Sequence, residues 1–295
     1  MPTPFLEVAK TRYLLADGGI SVMLRRLAGG DDGPVESWNL TRPELVTDLH
    51  RQFLESGAQC LTTNSFGANA LHATGFSAED CRQMARRSVE LARAAAASHS
   101  DHVYLLGSAG PWHGAAGAAW ETAWADQVTA LCGAGVDALC IETLTSLAQA
   151  RALVSAAKSS SGAVPVIASF AFQKKGSEDF VLPGDGTPLA TVARELATLG
   201  ADGYGLNCGA GTDGFDYSTL ISAFREATGT IVVARPSAGD PLAPGDPMTD
   251  YRDSPEYLAE AVWGMVRSGA NVIGGCCGVT PEHIAAFRQE LDMLG

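Results

Sequence analysis

The sequence predicts one (β/α)8 TIM barrel spanning residues 1–295, and three observations predict it. Short β-rich runs alternate with longer helical segments along the whole chain, the signature of βα units around a parallel sheet. A helix that ends in Gly followed by a small residue recurs before every second predicted strand, as Ser56-Gly57-Ala58, Ala134-Gly135-Val136, Leu199-Gly200-Ala201 and Ser268-Gly269-Ala270. Seven positions beyond each of those glycines stands a residue that can carry chemistry, namely Asn64, Glu142, Asn207 and Cys276.

The predicted strands, in order, are Tyr13 to Asp17, Gln59 to Asn64, Val103 to Gly107, Ala138 to Glu142, Val164 to Phe170, Gly203 to Asn207, Ile231 to Arg235 and Asn271 to Gly275. Gly suits the left-handed position just past a helix, which explains its recurrence. Thr41 to Glu44 and Ser146 to Gln149 fit the capping box, in which each end satisfies an orphan backbone N–H. Pro255 after Ser254 and Pro281 after Thr280 each suit a first helical position, where no N–H is needed. An open doubly wound sheet is the alternative, but eight regular units favour closure.

Composition limits the function. A net charge of −13 with only 18% charged residues leaves no basic surface for nucleic acid; Arg25-Arg26, Arg86-Arg87 and Lys174-Lys175 read as solvated faces or loops. No apolar run reaches the roughly 20 residues that span a bilayer, and the N-terminus lacks a signal-peptide pattern, so a cytoplasmic protein with no membrane partner is expected. Oligomeric state is not legible. Seven cysteines in a reducing compartment read as buried, catalytic or metal-bound.

Three of them stand apart. Cys276 and Cys277 lie in Gly274-Gly275-Cys276-Cys277-Gly278, and Cys208 in Asn207-Cys208-Gly209. Successive residues of a strand point to opposite faces, so the vicinal pair can serve one metal only if the strand has ended, which the flanking glycines allow. Three thiolates would hold Zn2+ and leave one tetrahedral position open, as in catalytic sites. The chemistry such a site serves is thiol activation, because the metal deprotonates a bound thiol. Cys60, Cys81, Cys132 and Cys140 read as small buried hydrophobes, and His72, His99, His102, His113 and His283 as solvated loop or helix-end residues.

Asp17-Gly18-Gly19, Thr63-Asn64-Ser65-Phe66, Glu142-Thr143, Asn207-Cys208 and Gly274-Gly275-Cys276-Cys277-Gly278, in that order and each after a predicted strand, resemble the homocysteine S-methyltransferases. That family includes S-methylmethionine-dependent and betaine-dependent enzymes and the homocysteine domain of cobalamin-dependent methionine synthase. The resemblance implies Zn2+ on Cys208, Cys276 and Cys277, with homocysteine and a methyl donor as substrates. It further implies that Asp17 and Glu142 face the ammonium of homocysteine, and that Gly18, Gly19, Thr63 or Asn64 take its carboxylate; Asn207 joins the same site. Outside the resemblance, Asp17 reads as a cap or turn aspartate and Glu142 as the partner of a barrel-interior Arg.

Two segments depart from the family pattern. Arg235-Pro236-Ser237-Ala238-Gly239 carries Ser237 where the family often has Asn, and the run from Trp112 to Trp120 replaces a more polar loop. Trp38, Phe66, Trp112 and Trp120 are candidate faces for a cationic donor. Leu144, where the betaine enzymes place an aromatic residue, counts against betaine. With the chain ending at Gly295, no cobalamin or folate module is expected after the barrel, and S-methylmethionine stands ahead of S-adenosylmethionine as donor. Betaine- or methylfolate-dependent transfer, a non-catalytic zinc or thiol-binding barrel, and an unrelated barrel enzyme with structural cysteines remain the alternatives.

Overall fold

The computed structural model describes residues 3–294 except 31, 32, 71, 112–117, 177, 178 and 247, with the side chains of 118–120 also outside the description. Eight parallel strands form one sheet: β1 (Leu14–Leu15), β2 (Cys60–Thr62), β3 (Tyr104–Ala109), β4 (Ala138–Leu144), β5 (Val166–Phe170), β6 (Gly203–Asn207), β7 (Ile231–Arg235) and β8 (Val272–Ile273). Neighbours in sequence pair in space from β2 through to β8, and β1 pairs with β8 through Leu14↔Val272 and Leu15↔Ile273. The last gap closes through the parallel bridge Ala16↔Cys60. The sheet is thus a barrel wrapped by helices, as the alternation predicts.

The barrel interior is layered. Its lower layer is apolar, built from Leu14, Ala16, Cys60, Tyr104, Leu106, Cys140, Ile167, Val233 and Val272. A helix over Phe5–Thr11 closes the bottom, with Phe5 edge-on to Tyr104 at 5.6 Å. Seven residues of mixed polarity carry too little periodicity to predict that helix. A second apolar core lies between the sheet and the outer helices. Polar residues therefore gather at one place inside the barrel, the C-terminal ends of the strands, where barrels hold their sites.

Local chemistry explains several elements and corrects others. Gly57, Gly135, Gly200 and Gly269 all have positive φ, between 76° and 103°, so the recurring glycine marks the left-handed residue that ends each helix. Ser146 caps the helix Leu147–Ser160 by accepting from Gln149 N, and Ser254 caps Pro255–Ala259 by accepting from Tyr257 N. The box predicted at Thr41 is not formed. The helix begins at Pro43 after Arg42, and the Thr41 hydroxyl donates to Ser37 O inside a preceding turn, Trp38–Thr41. Beyond β5, Gln173–Lys175 and Asp179–Val181 form an antiparallel hairpin, so Lys174-Lys175, which reads from sequence as a solvated face or loop, lies on a strand. Lys174 there pairs with Asp216 at 2.7 Å.

Candidate active site

Each of the three cysteines is brought inward by a local break in regular structure. Strand β8 stops at Ile273, and the chain turns: Gly275 N–H donates to Asp17 O, Cys276 N–H to Pro236 O and Val279 N–H to Cys276 O. A Cβ on Gly275 would lie 2.1 Å from Val279 Cγ1, and one on Gly278 2.2 Å from the Tyr251 ring, so only glycine permits this turn. Cys208 follows the last residue of β6 and adopts φ 55°, a left-handed conformation costly for a side-chain-bearing residue. The buried Tyr217 hydroxyl holds it there by donating to Cys208 O at 2.7 Å.

The sulfurs converge. Cys208 Sγ lies 2.6 Å from Cys276 Sγ and 3.6 Å from Cys277 Sγ, and the vicinal pair is 4.0 Å apart. Thiolates at about 2.3 Å on a tetrahedral cation stand roughly 3.8 Å from one another. Two of the three separations fit that spacing, and a side-chain rotation of Cys208 or Cys276 opens the third. Contacts among the sulfurs, together with burial, hold all three thiols above their ordinary range, since neighbouring thiolates repel. A thiophilic cation removes that penalty. Among the described residues this is the only group of three or more His, Cys, Asp or Glu placed to hold a metal.

Asn207 braces the cluster. Its Nδ2 points to Cys276 Sγ at 3.8 Å and donates to Thr143 Oγ1 at 2.9 Å, while its Oδ1 accepts from Thr143 N and Ser169 Oγ. Thr143 has φ 60° and sits where the β4–β5 register slips between Ile141 and Leu144. Such a bulge re-aims side chains beside a site. Thr143 and Cys208, the two non-glycine residues of positive φ among those described, flank the same amide.

The cavity at this mouth holds about 290 Å3 and is lined by Gly18, Gly19, Thr62 to Phe66, Ser108, Glu142, Thr143, Arg235 and the three cysteines. Beside the cysteine turn lies a buried ion cluster. Arg235 Nη1 meets Glu142 Oε1 at 2.5 Å, Nη2 stands 3.5 Å from Asp17 Oδ1, and Nε donates to Gly275 O at 3.0 Å. Asp17 is fully enclosed, accepting from Thr62 N and Thr62 Oγ1, both at 2.6 Å. Burial raises its carboxyl to about 6 against the opposing pull of Arg235. Ser108 Oγ donates to Glu142 Oε2 at 3.0 Å.

The structure gathers Cys208, Cys276, Cys277, Glu142, Gly18, Gly19, Thr63 and Asn64 around one cavity, with Asn207 behind the sulfurs, but rearranges the expected contacts. Asp17 lies behind Arg235 and does not line the cavity. The Gly19 N–H is committed to Val279 O, and a Cβ on Gly18 or Gly19 would sit 2.3 Å from Val279 O or 2.5 Å from Cys276 O; both glycines serve close packing under the cysteine turn. The Thr63 hydroxyl bonds Ser65 Oγ and Ser108 N, and the Asn64 amide donates to Val35 O and Asn39 Oδ1, so these side chains tie loops together.

Other expectations also change. Trp38 is buried beneath Arg42 rather than facing the mouth; Phe66 lines the cavity; Trp112, His113 and the Trp120 side chain lie outside the described residues. His283 is buried, bonded to Thr280 and Asp253 O, and not solvated. Cys60, Cys81 and Cys140 are buried in apolar surroundings and Cys132 is half-buried, as small hydrophobes should be. Ser237 reaches the Cys208 thiol and Tyr251 the Cys277 thiol. Glu142 does pair with a barrel-interior Arg, as its reading outside the resemblance expects; that residue is Arg235, whose signal in the sequence is a charge ending an otherwise apolar strand. No described helix is long and apolar enough to cross a membrane.

Known proteins resemble this chain to different depths. The family described as homocysteine S-methyltransferase matches residues 14–291. The methionine synthases of Mycobacterium leprae (strain TN) and Mycobacterium tuberculosis (strain ATCC 25618 / H37Rv) are each 29% identical across 96% of this chain, covering 24% and 25% of those proteins. The chain therefore spans about a quarter of the length of the curated relatives it matches. The metallated form of the homocysteine methyltransferase MmuM from Escherichia coli superposes with a TM-score of 0.76 at 25% identity, covering 96% of this chain and 98% of that one. The carboxyl transferase domain of Rhizobium etli pyruvate carboxylase, at 14% identity and a TM-score of 0.55, covers 97% of this chain and 48% of that one and shares the fold alone.

Proposed function

The chain belongs to the homocysteine S-methyltransferase family, and on that footing we propose that it transfers a methyl group from a sulfonium donor to the thiol of homocysteine, giving methionine. The three-sulfur cluster at the barrel mouth carries this reading: Cys208, Cys276 and Cys277 converge beside a cavity of small-molecule size. These residues would hold Zn2+, whose chemistry here is to strip the proton from the acceptor thiol at neutral pH.

The protein's own residues do the rest. The N–H···S contact from Asn207 fixes Cys276 and favours its thiolate form. The Phe66 ring offers an electron-rich face to a cationic donor, while the mostly apolar walls limit water near the reacting sulfur. In the transfer, the acceptor sulfur forms a bond to the methyl carbon, the donor's C–S⁺ bond breaks, and its electron pair returns to the donor sulfur as a thioether. The acceptor's proton has already left to solvent, so no side chain need act as general base. S-methylmethionine is the preferred donor on this reading, with S-adenosylmethionine second, and the seven free cysteines suit a cytoplasmic protein. The described barrel is one homocysteine-binding domain.

The test is to incubate metal-loaded protein with homocysteine and, in turn, S-methylmethionine, S-adenosylmethionine, betaine and a methylfolate, and to follow methionine. A sulfonium-dependent product is expected. Product with betaine or methylfolate alone reassigns the donor, and no product with any of them leaves a thiol-binding barrel without this activity.

A further inference from the structure

The two carboxylates expected to receive an acceptor's ammonium are already engaged by a cation of the protein's own. The Arg235 guanidinium stands between them, 2.5 Å from Glu142 Oε1 and 3.5 Å from Asp17 Oδ1. Backbone carbonyls fix it on its other edges, Gly275 O at 3.0 Å and Gly18 O at 3.5 Å. Planar, multiply anchored guanidinium is hard to displace, because its donors match this fork of oxygens better than a flexible ammonium does. Asp17 is enclosed, bonded twice to Thr62 and absent from the cavity wall, so no ligand touches it. Glu142 keeps one oxygen on Arg235 and the other on the Ser108 hydroxyl. Two carboxylates and one guanidinium leave at most a single negative charge, and burial of Asp17 reduces it further.

Resting on the thiol-acceptor reading above, we propose that Arg235 is the specificity-determining residue of the acceptor pocket: it fills, within the protein, the place of the acceptor's ammonium. The site then recognises its acceptor through the sulfur and the carbon chain, gains little from an α-amino group, and takes thiol-bearing carboxylic acids that lack one. Discrimination arises from a difference in contacts, and a contact already made by the protein adds nothing to the difference. An ammonium meeting a free buried carboxylate would contribute a charge-assisted bond worth roughly ten- to hundredfold in affinity.

The experiment compares homocysteine with 4-sulfanylbutanoate, the same chain with hydrogen in place of the amino group, on metal-loaded wild type. Binding is measured by calorimetry and transfer by kcat/KM with the donor found active. A preference for homocysteine below about tenfold in both readouts is expected, and a larger preference overturns the proposal. Arg235→Leu, checked for folding by circular dichroism, should raise the preference for homocysteine at least about tenfold by freeing Glu142; an unchanged ratio in a folded variant overturns it. If Arg235→Leu does not fold, the wild-type comparison still decides. Should neither thiol be methylated by any donor, the activity reading fails while the calorimetric comparison continues to test Arg235; if neither thiol binds, both fall.

Discussion

The two ends of the site, the sulfur cluster and the ion cluster beside it, are built on opposite principles. At the sulfur end, Cys208, Cys276 and Cys277 repel one another in the ionised state and are brought together by strained or glycine-dependent backbone. At the other end, Arg235, Glu142 and Asp17 attract one another, and the contact is made by oppositely charged side chains at or just past the ends of three strands. The sulfur end therefore gathers groups whose joint ionisation is opposed by burial and mutual repulsion, whereas the charged end is already paired within the protein.

Breaking each end should separate these roles. Cys276→Ala removes one sulfur from a half-buried turn and is expected to cost only about 1 kcal/mol of stability. Metal content should fall from one equivalent to none, and kcat/KM by roughly 10³-fold or more. Arg235→Leu should do the reverse. Two carboxylates lose their buried partner, costing about 3–5 kcal/mol in urea unfolding, while metal analysis still finds the cation. A Cys276→Ala protein that keeps its metal, or an Arg235→Leu protein as stable as wild type, erases the contrast.

Asn207 joins the two designs, since a regular strand end supplies an amide that steadies a strained turn. Asn207→Ala should weaken metal binding by about 10–100-fold, measured by competition with a chromogenic chelator, because the partners that orient a ligand matter nearly as much as the ligand. It should also loosen Thr143, whose φ of 60° is held by two bonds to that amide. Unchanged affinity would show that Cys276 is positioned by its own turn alone.

The difference between the ends also decides what the sequence could reveal. The eight strands are legible because they are short apolar runs, every second one following a helix-ending glycine, and β6 and β7 match their predicted limits at both ends. The cysteines were legible because their residue type is rare and their neighbours are glycines. The charged end was read only in part: Asp17 and Glu142 announce themselves, but their partner is 93 residues from Glu142 and its pairing is a property of barrel closure. The direction of the Asn64 amide is not legible for the same reason, since its bonds to Val35 and Asn39 depend on a loop that packs from elsewhere. The hairpin over Gln173–Lys175 and the Phe5–Thr11 helix escaped because short exposed strands and a single two-turn helix carry little periodicity.

The smallest expected effect is in the pH dependence of stability, where the charged end is masked by a residue outside the site. Asp17 titrates near 6 in the folded protein because burial outweighs the pull of Arg235, against roughly 3.9 when unfolded. The folded state therefore binds the extra proton between those values, and Asp17's contribution to stability declines as pH rises from about 4 to about 6. His50 does the opposite. It is wholly buried on the helix Pro43–Glu55, neither ring nitrogen has a hydrogen-bond partner among the described residues, and burial lowers it to about 4. Its unfolded value is roughly 6.5, so its contribution to stability rises with pH across about 4 to 6.5. In wild type the two slopes oppose each other and the profile should be shallow. His50→Leu should expose the Asp17 slope, with stability falling by about 2 kcal/mol between pH 4 and pH 6.5, and should add about 1 kcal/mol at pH 7 by removing unpaired buried nitrogens. Asp17→Asn in the same background should flatten the profile again. Urea unfolding at half-unit pH intervals reads all three; a His50→Leu profile as flat as wild type would mean that Asp17 is held ionised throughout, and the charged end would then carry a full negative charge into the cavity.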